Sequence, residues 1–506
     1  MKMTKELFAA KREELHGIVD ELLGIVSESI EEQTPIHKVE SMAWGKLLQV
    51  GHTTLQLLVD CLGNGDVGET YQLPDGKVLT RSEDVRPRPY VSIFGPLNLE
   101  RFVYAAREGQ RIEFCEVDAR LALPESKFSY LLQDWDQSFA MEQPFGRVAQ
   151  TVKKILGLDQ HVDSLERTNR HMAQEVDAFH ASLETSPAEE EGQIFVQTAD
   201  GKGVPIRRPA DAPPIHAHRH DKGPKPDRKK MATVGAVYSV NPFVRSPEEV
   251  VESLFRDPQD KRPKRKRPRP CHKRMRAVLN HTNAEGDEID GRATIFGWIS
   301  DEIAQRNPDG RQPTVRIMDG EESLWNMSKI FQKDVPLIDV LDLLHVTPRL
   351  WKAASLFHAR DSRKAEKFVR GRVLRILRGE VDGVVRGLRR MSTDRNFEGK
   401  KLSDLEKICK YFEKNRDRMR YDEYLVQGYP IASGVIEGAC RHVVKDRLER
   451  TGMNWIREGA QSMLDLRCIH LCDQWEQFME YRFQKETQRM YPYRDTLEPT
   501  PLSAAA

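Results

Sequence analysis

The sequence predicts an α/β protein, because short apolar runs of strand type alternate with longer charged segments of helical period. One apolar run lies at residues 193–198 and is soon followed by Asp200, and another at residues 314–318 is followed by Asp319. The segment 335–425 has helical spacing and dense charge instead. These patterns favour a sheet flanked by helices, with acidic residues where strands end.

The first 126 residues predict two small modules. Residues 1–62 space their leucines close to a period of 3.6, which predicts a helical hairpin. Residues 63–126 are punctuated by Gly and Pro and predict a small β-module. Within it the segment YVSIFGPLNLERFVY alternates in the manner of a β-hairpin.

Residues 127–188 predict a helix-turn-helix, because two stretches of helical period are interrupted near residues 157–161. Residues 164–175 would then form the recognition helix. Four basic side chains are candidates for contacts with DNA phosphates or bases: Lys153, Lys154, Arg167 and Arg170. A helix pair with Gly in its turn is also frequent in proteins that do not bind DNA, so both interpretations stay open.

Beyond a polar, acidic break near residue 190, the pattern predicts one domain that is interrupted by an insertion. Residues 189–334 and 426–485 carry the strand-type runs and the closing helices. Residues 335–425 form the predicted α-helical insertion, and residues 486–506 form a C-terminal tail.

The composition favours a globular protein of the cytoplasm. Charged residues make up 31% of the chain and hydrophobic residues 39%. No stretch approaches ~18 unbroken apolar residues, so we expect no membrane span. Charges interrupt the apolar positions near the N-terminus, so we expect no secretory signal. The 7 cysteines show no regular framework, which predicts reduced thiols rather than disulfides.

The net charge of +1 does not indicate a nucleic-acid partner, but its distribution is uneven. The run from Lys261 to Arg276 holds ten Lys or Arg residues and no acid. Such a run repels itself unless water or polyanions screen it. It therefore predicts either a solvated loop or an arm that contacts phosphates.

Three acids are candidates for a catalytic site. Asp200 precedes a glycine-rich turn and Asp319 precedes Gly320, so both are also typical of ordinary turns. Glu437 falls in the first turn of a predicted helix after Ser433, where a glutamate usually complements the helix dipole. Acids at two strand ends of one sheet could nevertheless share a Mg²⁺ ion.

Basic residues follow Glu437 along the same predicted helix. Arg441 and Lys445 lie at four-residue steps from the glutamate, and Arg447 is nearby. This spacing predicts a cationic stripe on the face of the glutamate, suited to a phosphate backbone. The alternative is an exposed helix covered by ion pairs.

The motifs together resemble a known family. They are ADGKGVPI at Asp200, RIMDG at Asp319, DVLDLLHV, and SGVIEGACRHVVKDRLERTGMNW at Glu437 followed by GAQSMLDLR. This set is similar to the DDE transposases of bacterial insertion sequences, specifically the Kra-type group. The resemblance extends over roughly residues 40–475, and the Ser-Gly-x-Ile-Glu-Gly motif with its basic helix is its most specific part.

The resemblance implies a ribonuclease-H-like mixed-sheet catalytic domain whose acids are Asp200, Asp319 and Glu437. It implies that these three bind Mg²⁺, or alternatively Mn²⁺, for DNA cleavage and transfer of the 3′-OH strand. The implied partners are double-stranded DNA, as transposon ends and target, and further copies of the chain, at the nucleoid. A related nuclease or resolvase without strand transfer, and a domesticated DNA-binding protein without catalysis, are the alternatives.

Other residues carry weaker indications. Asp342 and His345 fall in a matching motif and are candidates for orienting substrate or a water, although a histidine satisfied in a core is the alternative. Cys115 stands alone where relatives carry paired cysteines, which argues against a structural zinc. Two further clusters predict a solvated loop and two buried thiols: His216, His218 and His220, and Cys468 and Cys472.

Overall fold

The computed structural model describes residues 5–107, 109–207, 229–257, 259, 265–282, 288–333, 335–450 and 453–498. The chain divides into two compact units, one formed by Met1–Glu175 with Trp475–Ala506 and the other by Val176–Gln474. Among the helices of the described residues, none combines the length and the apolar character needed to cross a lipid bilayer. The predicted α/β class is confirmed, because helices accompany a mixed five-stranded sheet.

The strands of the described residues are β1 (Thr70–Gln72), β2 (Val78–Arg81), β3 (Arg86–Ser92), β4 (Gly95–Arg101), β5 (Tyr104–Ala105), β6 (Ile194–Pro205), β7 (Lys229–Val240), β8 (Cys271–Leu279), β9 (His281–Thr282), β10 (Glu288–Ile289), β11 (Thr314–Met318) and β12 (Leu337–Leu341).

Their α-helices are α1 (Lys5–Glu31), α2 (Ile36–Leu62), α3 (Glu116–Leu121), α4 (Tyr130–Glu142), α5 (Phe145–Leu156), α6 (Val162–Ala173), α7 (Val176–Ser182), α8 (Pro247–Leu254), α9 (Gly291–Arg306), α10 (Glu322–Phe331), α11 (Leu343–Phe357), α12 (Arg363–Leu377), α13 (Val381–Asp394), α14 (Gly399–Lys414), α15 (Tyr421–Val426), α16 (Gly434–Ala439), α17 (Asp446–Leu448), α18 (Arg457–Leu471) and α19 (Trp475–Met490). Short 3-10 helices occur at Ala188–Glu190, Arg416–Arg418 and Arg494–Thr496, and a π-helical segment at Cys440–Lys445.

The first unit contains the predicted helix pair and β-module. Helices α1 and α2 pack against each other across a short turn. Strands β3 and β4 form an antiparallel hairpin that is closed by the pair Ser92 and Gly95, and β1, β2 and β5 form a separate small sheet. The hairpin expected from the alternation of apolar residues is therefore present.

Helices α5 and α6 of the first unit have the outline of a helix-turn-helix. Gly157 ends α5 with a φ of 72°, a conformation that glycine adopts without strain. In the turn, the Gln160 amide donates to both carboxylate oxygens of Asp136 at 2.9 and 2.8 Å. Gln137 donates to the Leu165 carbonyl at 3.1 Å and so joins α4 to α6. The turn is thus fixed to a third helix by buried polar contacts.

The C-terminal helix α19 belongs to the first unit, although sequence analysis assigned residues up to 485 to the second. The Trp475 indole donates to the Asp134 carboxylate at 2.6 Å. The rings of Tyr130 and Phe483 meet edge to face, with centroids 5.2 Å apart. These contacts attach the last long helix to α4.

The second unit is built on the sheet β12-β11-β6-β7-β8. Strands β6, β11 and β12 are parallel to one another, and β7 is antiparallel to both β6 and β8. Side chains of β6 alternate between two cores. Phe195 packs with residues of α9 and α10, whereas Val196 packs with residues of the helices that follow β12. Both faces of the sheet are therefore covered by helices.

Three elements differ from the sequence interpretation. Strand β12 forms an edge of the sheet, although residues 335–425 were assigned to a helical insertion. Strand β6 continues to Pro205, so Asp200 lies within a strand and not at its end. Part of the basic run is strand β8, because Met275, Ala277 and Leu279 alternate into the core. The cluster His216, His218 and His220 lies outside the described residues.

Candidate functional site

Three aspartates lie in one row at the carboxyl edge of the parallel strands. Ile317 of β11 pairs with Thr198 of β6, so the same register places Asp319 opposite Asp200. Met318 of β11 pairs with Leu341 of β12, so Asp319 is also opposite Asp342. Because parallel strands end at the same edge, residues far apart in the chain converge there.

The Asp200 and Asp319 carboxylates make local contacts that hold them in place. Asp200 Oδ1 accepts a hydrogen bond from the Gly201 backbone at 2.7 Å. Asp319 Oδ1 accepts from the Glu321 backbone at 2.8 Å, and its carbonyl accepts from the Trp325 indole at 2.6 Å. Trp325 is fully buried, so the turn after β11 is anchored in the core.

Asp319 carries the electrostatic signature of a shared anionic site. Burial raises the pKa of this carboxyl, and the charge of Asp200 raises it further. The Glu321 backbone N–H and the charge of His345 act in the opposite direction. Two carboxylates that repel each other in a partly buried position favour a bound cation.

Both carboxylate oxygens of Asp342 accept hydrogen bonds that hold other segments in place. Its side chain is 1% exposed. Oδ1 caps α11 by accepting from the Leu344 backbone at 2.8 Å, and Oδ2 accepts from the Ser433 backbone at 3.1 Å. The Ser433 hydroxyl lies 3.1 Å from that of Thr198 on β6. Asp342 therefore positions other elements, as a buried carboxylate with N–H partners does.

These contacts place the helix that carries Glu437. Ser433 immediately precedes α16, and its backbone and hydroxyl join this segment to β12 and β6. Glu437 lies on α16, one turn beyond this anchor, and its side chain lies outside the described part of the structure. The beginning of α16 is thus tied to the sheet edge that carries Asp200 and Asp319.

Sequence analysis missed Tyr411, which α14 brings to the same edge. A Cβ atom at Gly320 would overlap the Tyr411 ring, so a larger residue after Asp319 would displace that ring. Burial raises the pKa of the Tyr411 phenol to about 12, although the Arg349 cation lowers it and the charges of Asp319 and Asp342 raise it. The Arg349 guanidinium lies 3.5 Å from the centre of that ring. No sequence motif links residue 411 to the acids.

His345 lies near the acids, half-buried in the first turn of α11. Its charge influences Asp319, and its carbonyl accepts from Arg349 at 3.0 Å. The structure brings His345 to the carboxylate edge, where a role in orienting a ligand stays a prediction.

The basic stripe after Glu437 differs from the prediction. Residues 440–445 form a π-helical segment, so a four-residue step no longer returns to the same face. Arg441 and Lys445 are exposed, and Arg441 lies 3.6 Å from the Asp446 carboxylate. Arg447 is 1% exposed and lies over the Trp455 ring at 4.9 Å. Arg447 is therefore not part of an exposed stripe, and its contact with DNA stays a prediction.

Arg467 of α18 explains how the π-helical segment is stabilised. Its side chain is buried, and Nε donates to the carbonyls of His442 and Val443 at 3.0 and 3.1 Å. A π-turn displaces backbone carbonyls from their usual partners, and a guanidinium presents several donors in a fixed plane. Arg467 thus replaces the backbone donors that a regular α-helix would supply.

The cations predicted in the helix-turn-helix are displayed on α5 and α6. Lys153, Lys154 and Arg167 are exposed, and Arg170 is half-buried. Lys153 forms an exposed ion pair with Asp159 at 2.7 Å. Their contact with DNA stays a prediction.

The cysteines of the described residues form no disulfide bonds. Cys115 is buried, and burial raises the pKa of its thiol to about 12. Cys468 is buried and Cys472 partly buried, both as free thiols on and just after α18. Among the described side chains, no group of three His, Cys, Asp or Glu residues is placed to hold a metal ion.

No protein-family model matches this chain, and no match to it was found among curated proteins.

Proposed function

We propose that the chain is a DNA transposase of the DDE type, with Asp200, Asp319 and Glu437 as its acidic residues. The observation that carries this proposal is the register of β6 and β11, which sets Asp319 opposite Asp200 in a position where their charges interact. A carboxyl whose pKa is raised by burial and by a second carboxylate is a candidate for a functional site.

The sheet topology supports a ribonuclease-H-like fold for the second unit. Such a fold has three antiparallel strands in sequence, followed by two strands that extend the sheet in parallel from the first. Strands β6, β7 and β8 run antiparallel in chain order, and β11 and β12 continue in parallel beside β6. The Asp200 strand is therefore central, as the proposal requires.

The donor set fits a hard divalent cation. Asp200 and Asp319 offer carboxylate oxygens, the ligands that Mg²⁺ and Mn²⁺ prefer, and Glu437 is proposed as the third. Bound Mg²⁺ would activate a water at the scissile phosphate and stabilise the leaving 3′ oxygen. Asp342 holds the Glu437 helix at the sheet edge, and Trp325 holds the turn of Asp319.

The same residues would serve both cleavage and strand transfer. After cleavage, the released 3′-hydroxyl would take the place of water and attack a phosphodiester of target DNA, so that a new P–O bond forms while the P–O3′ bond of the target breaks and its 3′ oxygen leaves. Double-stranded DNA would be held by the helix-turn-helix cations, with Arg441 and Lys445 near the acids. Joining two ends requires two sites, so we propose that the protein acts as a homo-oligomer.

The test is metal-dependent cleavage of duplex DNA that includes the sequence flanking the gene. Asp319→Asn keeps the size of the side chain and the oxygen that accepts from Glu321, and it removes the charge. We expect cleavage to fall by more than about 100-fold, since even residues that only orient metal ligands contribute 10–100-fold. Asp301→Asn, at an exposed position of α9, is the matched control and should cleave as the wild type does.

Equal behaviour of wild type and Asp319→Asn would overturn the enzyme proposal and leave a DNA-binding protein. Strand transfer is tested separately with a pre-cut end that carries a free 3′-OH. Joined product supports the transposase, whereas cleavage without joining supports a related nuclease.

A further inference from the structure

A groove of about 850 Å³ opens beside the proposed acidic site. Its floor includes Leu344, two residues after Asp342, and Gly434, three residues before Glu437. Its walls come from α8 and from the segments that follow β7 and precede β8. The groove therefore begins at the two segments that position the proposed catalytic residues.

The polar lining of this groove holds four arginines and three acids, Glu249, Glu252 and Asp257, and three of the arginines gather around Phe243. Arg245 and Arg265 flank the Phe243 ring, with their guanidinium carbons 5.3 and 4.5 Å from its centre. Arg245 donates to the carbonyls of Phe243 and Tyr429 at 3.1 Å each, and Arg267 donates to the Ser253 hydroxyl at 3.0 Å. These hydrogen-bond partners of Arg245 and Arg267 are neutral groups.

The cations of the groove also act on one another. Burial lowers the pKa of Arg245 to about 10, and the neighbouring charges of Arg267 and Arg265 contribute to this. Glu249 offsets the effect in part, and it lies 3.5 Å from Arg265 while also accepting from the Ser246 backbone at 2.8 Å. An anion in the groove would relieve the repulsion among three guanidinium groups.

Another part of the lining is apolar, and it bears on the kind of anion that the groove would bind. Val250, Leu254, Leu344 and Ile431 line the groove together with Phe243. A free inorganic anion gains nothing from such a surface. A DNA duplex presents only phosphate and sugar at its backbone, because its bases are stacked inside. An unpaired strand presents phosphates and open base faces together, and both parts of this lining suit it.

We propose that the groove formed by Phe243, Arg245, Arg265, Arg267 and Leu344 binds one or two unpaired nucleotides of a DNA strand whose continuation enters the acidic site. Its volume lies within the ~300–1,000 Å³ of sites that enclose molecules of nucleotide size. The arginines contact the phosphates, and the apolar wall receives a base. The inference rests on the proposed function only in naming DNA as the ligand.

The test is binding of a fluorescent single strand about 12 nucleotides long, measured by anisotropy in the presence of EDTA. Arg265→Gln/Arg267→Gln removes two charges at exposed positions, and Arg386→Gln/Arg390→Gln on the exposed face of α13 is the control of equal charge. We expect the groove variant to bind about tenfold more weakly and the slope of log K against log salt to fall by ~0.7 per lost phosphate contact. The control should bind as the wild type does.

Equal loss in both double variants would overturn the proposal, because the effect would then reflect net charge alone. An acidic peptide of matched charge that competes as well as the single strand would overturn it too. A duplex of the same sequence should show a smaller difference between the two variants. Asp319→Asn should bind the single strand as the wild type does, so a failure of cleavage and a failure of the groove give different results.

Discussion

At the residue scale, the acids were predictable and their surroundings were not. Asp200 and Asp319 each follow an apolar run in the sequence, a local pattern that is visible directly, although Asp200 lies within strand β6. In the folded protein, Tyr411 lies against the turn that follows Asp319. Tyr411 is 92 positions later in the chain, so no local spacing in the sequence reveals this contact. Arg447 is buried just after a π-helical segment, and the spacing of basic residues in the sequence does not reveal this burial.

The buried charge of Asp319 predicts a pH-dependent stability difference. Its carboxyl pKa is raised in the folded protein by burial and by Asp200, so stability falls as the pH rises from the unfolded value of about 3.9 through the folded one. Asp319→Asn carries no charge at any pH. We expect the variant to have the larger free energy of unfolding at pH 7 in metal-free buffer, measured by urea titration.

The larger unfolding free energy of Asp319→Asn should vanish at low pH, because the wild-type carboxyl is then protonated in both the folded and the unfolded protein. Added Mg²⁺ should stabilise the wild type and leave Asp319→Asn unchanged. Asp301→Asn should show neither effect, since this aspartate is exposed. A gain that persists unchanged at low pH would contradict the assigned cause.

At the scale of elements, apolar periodicity found most helices and strands but not their limits. Strand β6 was expected to end at Asp200, because a glycine-rich turn motif follows, yet pairing with β7 continues through Gly201 and Gly203. Strand β12 was assigned to a helical insertion, since five residues between charged helices carry a weak signal. Pairing with strands distant in the chain determines both the length of β6 and the presence of β12. The pattern of a single sequence does not contain this information.

The π-helical segment provides a prediction for an element. Arg467→Gln removes the guanidinium that donates to the His442 and Val443 carbonyls. We expect a loss of roughly 1–3 kcal/mol of unfolding free energy for each carbonyl left without a donor. Arg467→Lys should recover only part of it, because an ammonium cannot reproduce the planar fork. Urea titration measures both variants.

The control for Arg467→Gln is Arg375→Gln. Arg375 is an exposed arginine that pairs with Glu380 at 2.7 Å. Such a pair contributes at most about 1 kcal/mol. A full recovery by lysine would show that charge alone, and not the geometry of the donors, stabilises the segment.

At the scale of the whole molecule, the sequence indicated the domain order but not the position of the last helix. Helix α19 was placed with the catalytic domain because it follows directly after α18 in the chain. Its contacts with α4 depend on Trp475 and Phe483. The sequence indicates that such aromatic side chains are buried, but it does not indicate which helix they pack against. The α/β class followed from the pattern of alternation alone.

Two units predict two separable effects on thermal unfolding. Trp475→Ala, in the first unit, removes a buried indole and its bond to Asp134, and should cost about 3–5 kcal/mol there. Leu350→Ala, in the core of the second unit, should cost about 2–5 kcal/mol there. Differential scanning calorimetry should show each substitution shifting a different transition. One transition that both substitutions shift equally would contradict independent units.

The first unit contains both the earliest and the latest described helices, with the second unit between them in the chain. A ribosome therefore releases Val176–Gln474 before α19 has left the exit tunnel. The nascent protein can complete its sheet and acidic edge while α4 still lacks the helix that covers it. The first unit therefore lacks one of its own helices until the whole of the second unit has been translated.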